Sequence, residues 1–554
     1  MRIAIGQIDT LIGDLDGNVR RVLEACVRAK AEGARVAVFP ELVVTGYPPR
    51  DLLNVPSFLD ASDAAVERLV REVPEGLTVV FGAPRRRRNL GVPGRVLTDA
   101  AIACRRGEVL VEVHKALLPT YDVFDERRYF EPAPSHMPRT FELDGERVGV
   151  LICEDMWNDR LLWGERRIYD RDPVAEAMEQ GATLILNVSA SPFAQRKYEL
   201  RRRLVTNAAK RWHVPVVYAN AVGGHDGLLF DGGSLAIAAD GSPIAELPFF
   251  EETVRVIDLA ERTTLPEPDD LEVLNRALTT GVRDYARKTG MRRWVLGLSG
   301  GIDSALVATL GVLALGADTG AALAMPSRYS SAHSVDDARA LATRLGLPFQ
   351  LVPIEPAHAA YEQMLAPVLA PLGPASGHDV TFENVQARVR GATLMAYANR
   401  TNALLLTTGN KSECSVGYCT LYGDMCGGLA VIADLWKHEV YALCRWLNAH
   451  KVDGAIPEST LTKPPSAELR PGQRDDQSLP PYDVLDPILK ALVEDELGVE
   501  AAAEKSGQPV DLVRAMAHKL YLAEYKRKQF APTLKVSTRA WVGRDYPIAM
   551  GWRP

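Results

Sequence analysis

Three segments in the first half of the chain bring chemically capable residues to the ends of apolar runs. They are FPELVVTGYPP around Glu41, VHKALLPTYDVFDERRYF around Lys115 and VLICEDMW around Cys153. A thiol can attack an amide carbonyl, a carboxylate can take the thiol proton, and an ammonium can stabilise the developing oxyanion. A base working near neutral pH needs burial to raise its pKa, and a nearby ammonium favours the thiolate. The second half holds a different signal, GLSGGIDSA at 297–305. Along Gly297, Leu298, Ser299, Gly300, Gly301, Ile302, Asp303 and Ser304 the small glycines and serines let backbone N–H groups close on an anion. The following helix adds partial positive charge at its N-terminus. No Gly-Lys-Ser/Thr follows the glycines and the spacing is not that of a dinucleotide fingerprint, so this is a phosphate cradle of another kind. LLLTTGNKSE (404–413) is a further strand running into polar residues, which places Thr408 and Glu413 beside the same crevice. Asp303 and Glu413 are hard oxygen donors suited to Mg²⁺, an ion that bridges ATP phosphates.

The elements that must hold these residues follow from hydrophobic periodicity. From Arg2 to about Leu259, short β-rich runs (RIAIGQI, ARVAVFP, TVVFGAP, VLVEVHK, RVGVLICE, TLILNVS, PVVYANAV, SLAIAA) alternate with helix-length segments. ERTTLPEPDD, at 261–270, is polar with two prolines and reads as a linker. The expected organisation is a domain at 1–260, the linker at 261–270 and a second domain at 271–554. The second domain opens on a helix-like stretch, LEVLNRALTTGVRDYARKTG, then alternates WVLGL, GAALAMP, FQLVPI and NALLLTTG with helices. That order predicts a doubly wound, mostly parallel α/β sheet with ligands at the strand C-termini. Residues 456–482, rich in proline and charge, are expected to form a loop able to order over substrate.

Bulk composition agrees with a folded enzyme: 47% apolar and 24% charged residues over 554 positions, too long for one core. Lys plus Arg number 64 against 71 acids, a net charge of −7, which argues against nucleic acid as a partner. RRRR at 85–88 is expected in a loop and RRR at 201–203 on the polar face of a helix. Seven scattered cysteines give no disulfide framework, and no apolar run is long enough for a membrane span. A cytoplasmic location is expected. Cys414, Cys419 and Cys426 lack an obvious fourth zinc ligand.

GLSGGIDSA resembles the loop of ATP pyrophosphatases, which holds departing pyrophosphate. Together with MPSRYSS (325–331), ENVQARVRG (383–391), TTGNKSE, LYGDM (421–425) and YKRKQ (525–529), residues 270–554 resemble the NAD synthetases. The resemblance implies a Rossmann-like domain in which ATP adenylates the carboxylate of deamido-NAD and ammonia displaces AMP. It implies that 297–304 and Thr408 bind ATP, and that Asn384, Glu413 and Lys526 contact deamido-NAD. The three N-terminal segments taken together resemble the carbon–nitrogen hydrolase (nitrilase) superfamily over residues 2–258. That implies an α-β-β-α layered domain with Glu41 as base, Lys115 as transition-state stabiliser and Cys153 as the nucleophile that releases ammonia. In glutamine-using relatives the matching contacts to glutamine are Tyr121, Ser191 and Lys197. Gly227 and Thr120 depart from the residues common there. Relatives form oligomers, so self-association is implied. Free ammonia is mostly protonated near neutral pH, so an internal route between the sites is expected. Without the resemblance the acceptor stays open to another carboxylate or carbonyl.

Overall fold

In a computed structural model, residues 1–87, 96–164, 168–374 and 379–552 are described. The chain divides into two compact units, Met1–Val273 and Leu274–Pro554. Among the described residues no helix is long and apolar enough to cross a membrane.

The first unit stacks two six-stranded sheets. One runs Thr253–Asp258, Arg2–Gln7, Val36–Val38, Thr78–Arg86, Leu97–Arg105, Glu108–His114. The other runs Pro243–Glu246, Leu235–Ile237, Val216–Asn220, Leu184–Ser189, Glu146–Ile152, Thr140–Leu143. Strand alternation explains the layers, because successive side chains face opposite ways. Ile3, Ile5, Val36 and Val38 from one sheet meet Val148, Val150, Leu186 and Val188 from the other in a shared core. The alternate residues Ala4, Ala37, Phe39 and Val79 face outward onto Val22 and Leu69 of helices Leu15–Ala31 and Pro56–Glu72. On the far side Leu151, Ile185 and Val216 pack on Leu204 and Val205 of helix Lys197–Trp212. The result is the expected α-β-β-α sandwich.

Several local readings differ. The strand Leu97–Arg105 is not among the runs singled out in the sequence, since its core is four small residues and an acid. Arg85 and Arg86 lie on strand Thr78–Arg86 and pair with Asp63 and Asp60, and Arg88 lies outside the described residues. Arg201 is buried rather than on a polar helix face, because it donates to the Asp231 carboxylate and the Gly232 carbonyl. Segment 261–269 lies on the first unit: the Thr263 N–H donates to the Pro243 carbonyl, and Arg202 reaches the Pro266 carbonyl at 2.8 Å. Gly227 completes the two-residue turn Asp226-Gly227 of the hairpin Val222–His225/Leu228–Asp231.

The second unit has a five-stranded sheet, all parallel, in the order Phe349–Leu351, Gly320–Ala324, Arg293–Gly297, Ala403–Thr407, Leu429–Ala430. The first strand in sequence is central and the order grows outward on both sides, which is the doubly wound pattern. Its topological switch point lies between Arg293–Gly297 and Ala403–Thr407, so both chemically loaded loops leave the sheet at one end.

Candidate functional site

The turn after Glu146–Ile152 sets Cys153 at φ 43, a left-handed conformation that costs a non-glycine residue about 1–3 kcal/mol. Burial of Ile152, Val150 and Val148 in the inter-sheet core, at about 1.5–3 kcal/mol per side chain, is large enough to impose it. The strain sets the thiol at the strand end, where the Cys153 N–H donates to the Val188 carbonyl at 2.9 Å. Glu41 follows strand Val36–Val38, and its backbone lies so close to Gly82 that a Cβ there would meet Glu41 Cα at 2.7 Å. Lys115 follows strand Glu108–His114. Three strand ends from two sheets thus converge.

Lys115 has no solvent exposure. Its Nζ donates to Glu41 Oε1 at 2.5 Å and to Glu126 Oε1 at 2.8 Å. The other Glu41 oxygen accepts the Ala190 N–H at 2.9 Å. Burial opposes the Lys115 charge, but Glu126 and Glu41 hold its pKa well above the ordinary value. Burial pushes Glu126 up to about 7, opposed by Lys115 and reinforced by Glu41. Burial and then Glu41 push the Cys153 thiol well above its usual range despite Lys115, so these surroundings favour the thiol over the thiolate that a neighbouring ammonium first suggests. Glu41, Asp99 and Glu126 have the separations of a metal cage, yet the Lys115 ammonium fills its centre.

Two residues missed by sequence reasoning stand out. Glu126 sits in the quoted segment DERRYF, where nothing separates it from its charged neighbours. Asp155 ties the site together: one oxygen accepts the Ala116 and Leu117 N–H groups at 2.9 and 3.0 Å, and the other accepts from Arg139 and the Ile152 N–H. It thereby clamps the Lys115 loop to the Cys153 turn. Of the candidate glutamine contacts, Tyr121 donates to Glu154, the neighbour of Cys153, at 2.9 Å. Lys197 donates to the Pro192 carbonyl and lies 5.2 Å from the Trp157 ring centre. Ser191 is buried, its N–H on Asn220.

In the second unit a cavity of about 310 Å³ opens at the strand ends. Gly297, Leu298, Ser299, Gly301, Ile302, Asp303, Thr408 and Glu413 line it. Ser304 lies behind them, its hydroxyl accepting the Ser299 N–H at 3.2 Å and donating to the Gly301 carbonyl at 3.0 Å. Gly300, at φ 79, has room for no side chain, since a Cβ would lie 2.1 Å from the Ser334 carbonyl oxygen. Asp303 and Glu413 are bridged by Lys437, which sequence reasoning did not select: its Nζ is 2.6 Å from Asp303 and 3.3 Å from Glu413. Asn410 holds the second Asp303 oxygen at 2.9 Å and caps the helix that carries Glu413. Burial pushes Glu413 up to about 8, opposed by Lys437 and reinforced by Asp303. The two carboxyls are hard oxygen donors at the cavity wall, and a divalent cation would bind them by displacing the Lys437 ammonium that now bridges them.

Asn384 and Lys526 are not brought into the cavity wall. Asn384 accepts from the Thr420 hydroxyl at 2.8 Å, and Lys526 donates to the Gly417 and Cys419 carbonyls at 2.7 and 2.6 Å. Both therefore brace the segment whose Tyr418, Gly423, Asp424 and Cys426 do line the cavity. The 456–482 segment contains a short helix, Glu458–Thr462, and reaches the cavity through Thr460, Lys463 and Glu468.

Comparison with known proteins supports both halves. The carbon-nitrogen hydrolase family matches residues 2–265 and the NAD synthase family residues 274–530. The chain is 44% identical to a glutamine-dependent NAD(+) synthetase of Synechocystis over 565 residues, covering 100% of this chain and 99% of that protein. It is 40% identical to one from Rhodobacter capsulatus, covering 100% and 99%. A solved glutamine-dependent NAD+ synthetase from Acinetobacter baumannii, in complex with adenosine diphosphate, superposes with a TM-score of 0.76 at 35% identity, covering 100% of this chain and 98% of that one.

Proposed function

Because the chain belongs to the glutamine-dependent NAD(+) synthetases, we propose that Cys153, Glu41 and Lys115 hydrolyse glutamine while the 297–304 cavity adenylates the acceptor. The overall reaction is the ATP-dependent amidation of deamido-NAD to NAD with nitrogen from glutamine. What carries the assignment of residues is the meeting of a strained, buried thiol with a buried Glu–Lys–Glu cluster.

Glu41 takes the Cys153 proton as sulfur attacks the glutamine amide carbon, and Lys115 stabilises the oxyanion. The proton passes from Glu41 to the leaving nitrogen, ammonia departs, and a thioester remains. Glu41 then activates the water that hydrolyses it to glutamate. Tyr121, Ser191 and Lys197 would hold the zwitterionic ends of glutamine.

At the second site, residues 297–304 and Thr408 would hold ATP phosphates through N–H and hydroxyl donors. Asp303 and Glu413 would hold Mg²⁺, which when bound neutralises phosphate charge. The deamido-NAD carboxylate attacks the α-phosphorus and pyrophosphate leaves. Ammonia then attacks the acyl-adenylate carbon and AMP leaves. Asn384, Glu413 and Lys526 are assigned to deamido-NAD, Asn384 and Lys526 acting through the segment they brace.

We assign domain limits of 1–260 and 271–554 and a cytoplasmic location, supported by seven cysteines that are all free. Self-association is supported by the exposed stripe Tyr361, Met364 and Val368 on helix Glu355–Leu369, continued by Leu372. Met364→Glu should lower the mass found by sedimentation; an unchanged mass removes this face.

An electrophilic glutamine analogue tests the amidase assignment. Mass spectrometry should find it on Cys153 alone, with glutamine-driven synthesis lost and ammonium-driven synthesis kept. Labelling of another cysteine together with loss of activity would overturn the assignment.

A further inference from the structure

The amidase centre contains a third acid that none of these steps uses. Asp99, on strand Leu97–Arg105, has no solvent exposure, and its backbone carbonyl accepts the Lys115 N–H at 2.9 Å. Among the described residues neither of its carboxyl oxygens accepts a hydrogen bond from an N–H or a hydroxyl. The Lys115 ammonium is 3.7 Å away and is spent on Glu41 and Glu126 at 2.5 and 2.8 Å. What remains within reach is carboxyl oxygen: Glu41, Asp99 and Glu126 each place one within 4.8 Å of the others, and Glu126 is already engaged by Lys115 and the Tyr47 hydroxyl, which leaves Glu41 as the partner for Asp99. Two carboxyl groups can bond to each other only if one carries a proton. Three ionised acids around one ammonium would also leave two uncompensated negative charges in a dry interior, a far costlier state than one.

We propose that Asp99 is a positioning residue for amide hydrolysis: it stays protonated through the cycle and donates its O–H to Glu41, orienting that base toward Cys153. The Asp99 proton does not enter the reaction. The transferred proton moves from Cys153 to Glu41 to the leaving nitrogen, while the Asp99 bond holds the carrier in place. Burial, and then the charge of Glu41, hold the Asp99 carboxyl well above the ordinary carboxylate range, which agrees with this state. The titratable groups around it are Glu41 from the loop after Val36–Val38, Lys115 after Glu108–His114 and Glu126 from Glu126–Arg128, with Tyr47 and Cys153 beyond them. The inference rests on the assignment of Glu41 as base, so Glu41→Gln is measured alongside. If that variant hydrolysed glutamine normally, the assignment itself would fall rather than the role of Asp99 alone.

The test uses the full chain and follows kcat/KM for glutamine hydrolysis from about pH 5.5 to about pH 9, with ammonium-driven synthesis as the folding control. Asp99→Leu, which has no donor, should lose about 10–100-fold in kcat with little change in KM. Its acid limb should move up by about one pH unit, because a carboxylate that loses a donor holds its proton more tightly. Asp99→Asn is neutral and keeps an N–H donor in the same place, so it should recover most of the loss and return the acid limb to the wild-type position. An infrared carboxylic-acid C=O band at neutral pH should be present in the wild type and absent in Asp99→Asn. If Asp99 were ionised, Asp99→Asn would remove a negative charge beside Glu41 and move the acid limb down by about one unit, with no band lost. That result, or an Asp99→Leu variant matching the wild type, overturns the proposal. Should Asp99→Leu fail the folding control, the limb position and infrared band of Asp99→Asn decide alone.

Discussion

The two sites bury the same kind of charge, a lysine between two acids, in different surroundings. In the first unit Lys115 is locked between Glu41 and Glu126 with no exposure, and each partner is held again by a second contact, Ala190 N–H for Glu41 and the Tyr47 hydroxyl for Glu126. In the second, Lys437 bridges Asp303 and Glu413 at the wall of an open cavity. The first arrangement suits one small substrate and a nucleophile that must be deprotonated on demand. The second suits a large polyanion, since the lysine that compensates two acids stands at the wall of a cavity of about 310 Å³.

Three substitutions sharpen this contrast. Lys437→Met should cost about 100-fold or more in both glutamine-driven and ammonium-driven synthesis, because both pass through the adenylating site. A loss confined to glutamine-driven synthesis would break the division. Asp155→Ala should cost about 10–100-fold in glutamine hydrolysis by releasing the Lys115 loop from the Cys153 turn, and leave ammonium-driven kinetics unmoved. Equal losses with both nitrogen donors would show a fold defect. The smallest effect belongs to His438, whose pKa is raised by its hydrogen bond to Asp486. A pKa raised by folding contributes stability that is complete below the unfolded value of about 6.5 and is lost as pH rises through the folded value. His438→Asn should therefore lower the melting temperature of the second unit at about pH 6 by more than at about pH 8. The opposite ordering would refute the pairing.

The sequence made the strands and the reactive loops legible to different degrees. SGGIDS after WVLGL announces an anion cradle because every requirement is local: small residues, a preceding strand, a following helix. Cys153, Glu41 and Lys115 each show only a strand end, and their meeting is a fact of topology across 112 residues of sequence from Glu41 to Cys153. Asp99, Glu126 and Asp155 carry no local mark at all, because their chemistry arises from packing across sheets. Arg201 reads as a surface charge on a helix until Asp231, 30 residues on, is folded against it. Asn384 and Lys526 show the same limit in reverse: both belong to recognisable segments, yet in this conformation their polar atoms are engaged with Thr420 and with two backbone carbonyls.

The central claim is that one chain houses two separable chemistries. It is tested most directly by steady-state NAD formation from ATP and deamido-NAD, with glutamine or ammonium as nitrogen source, by Cys153→Ala and Asp303→Ala. Cys153→Ala should lose glutamine-driven synthesis and retain ammonium-driven synthesis, whereas Asp303→Ala should lose both. Equal failure of the two variants on ammonium, or glutamine-driven activity surviving in Cys153→Ala, would contradict the account.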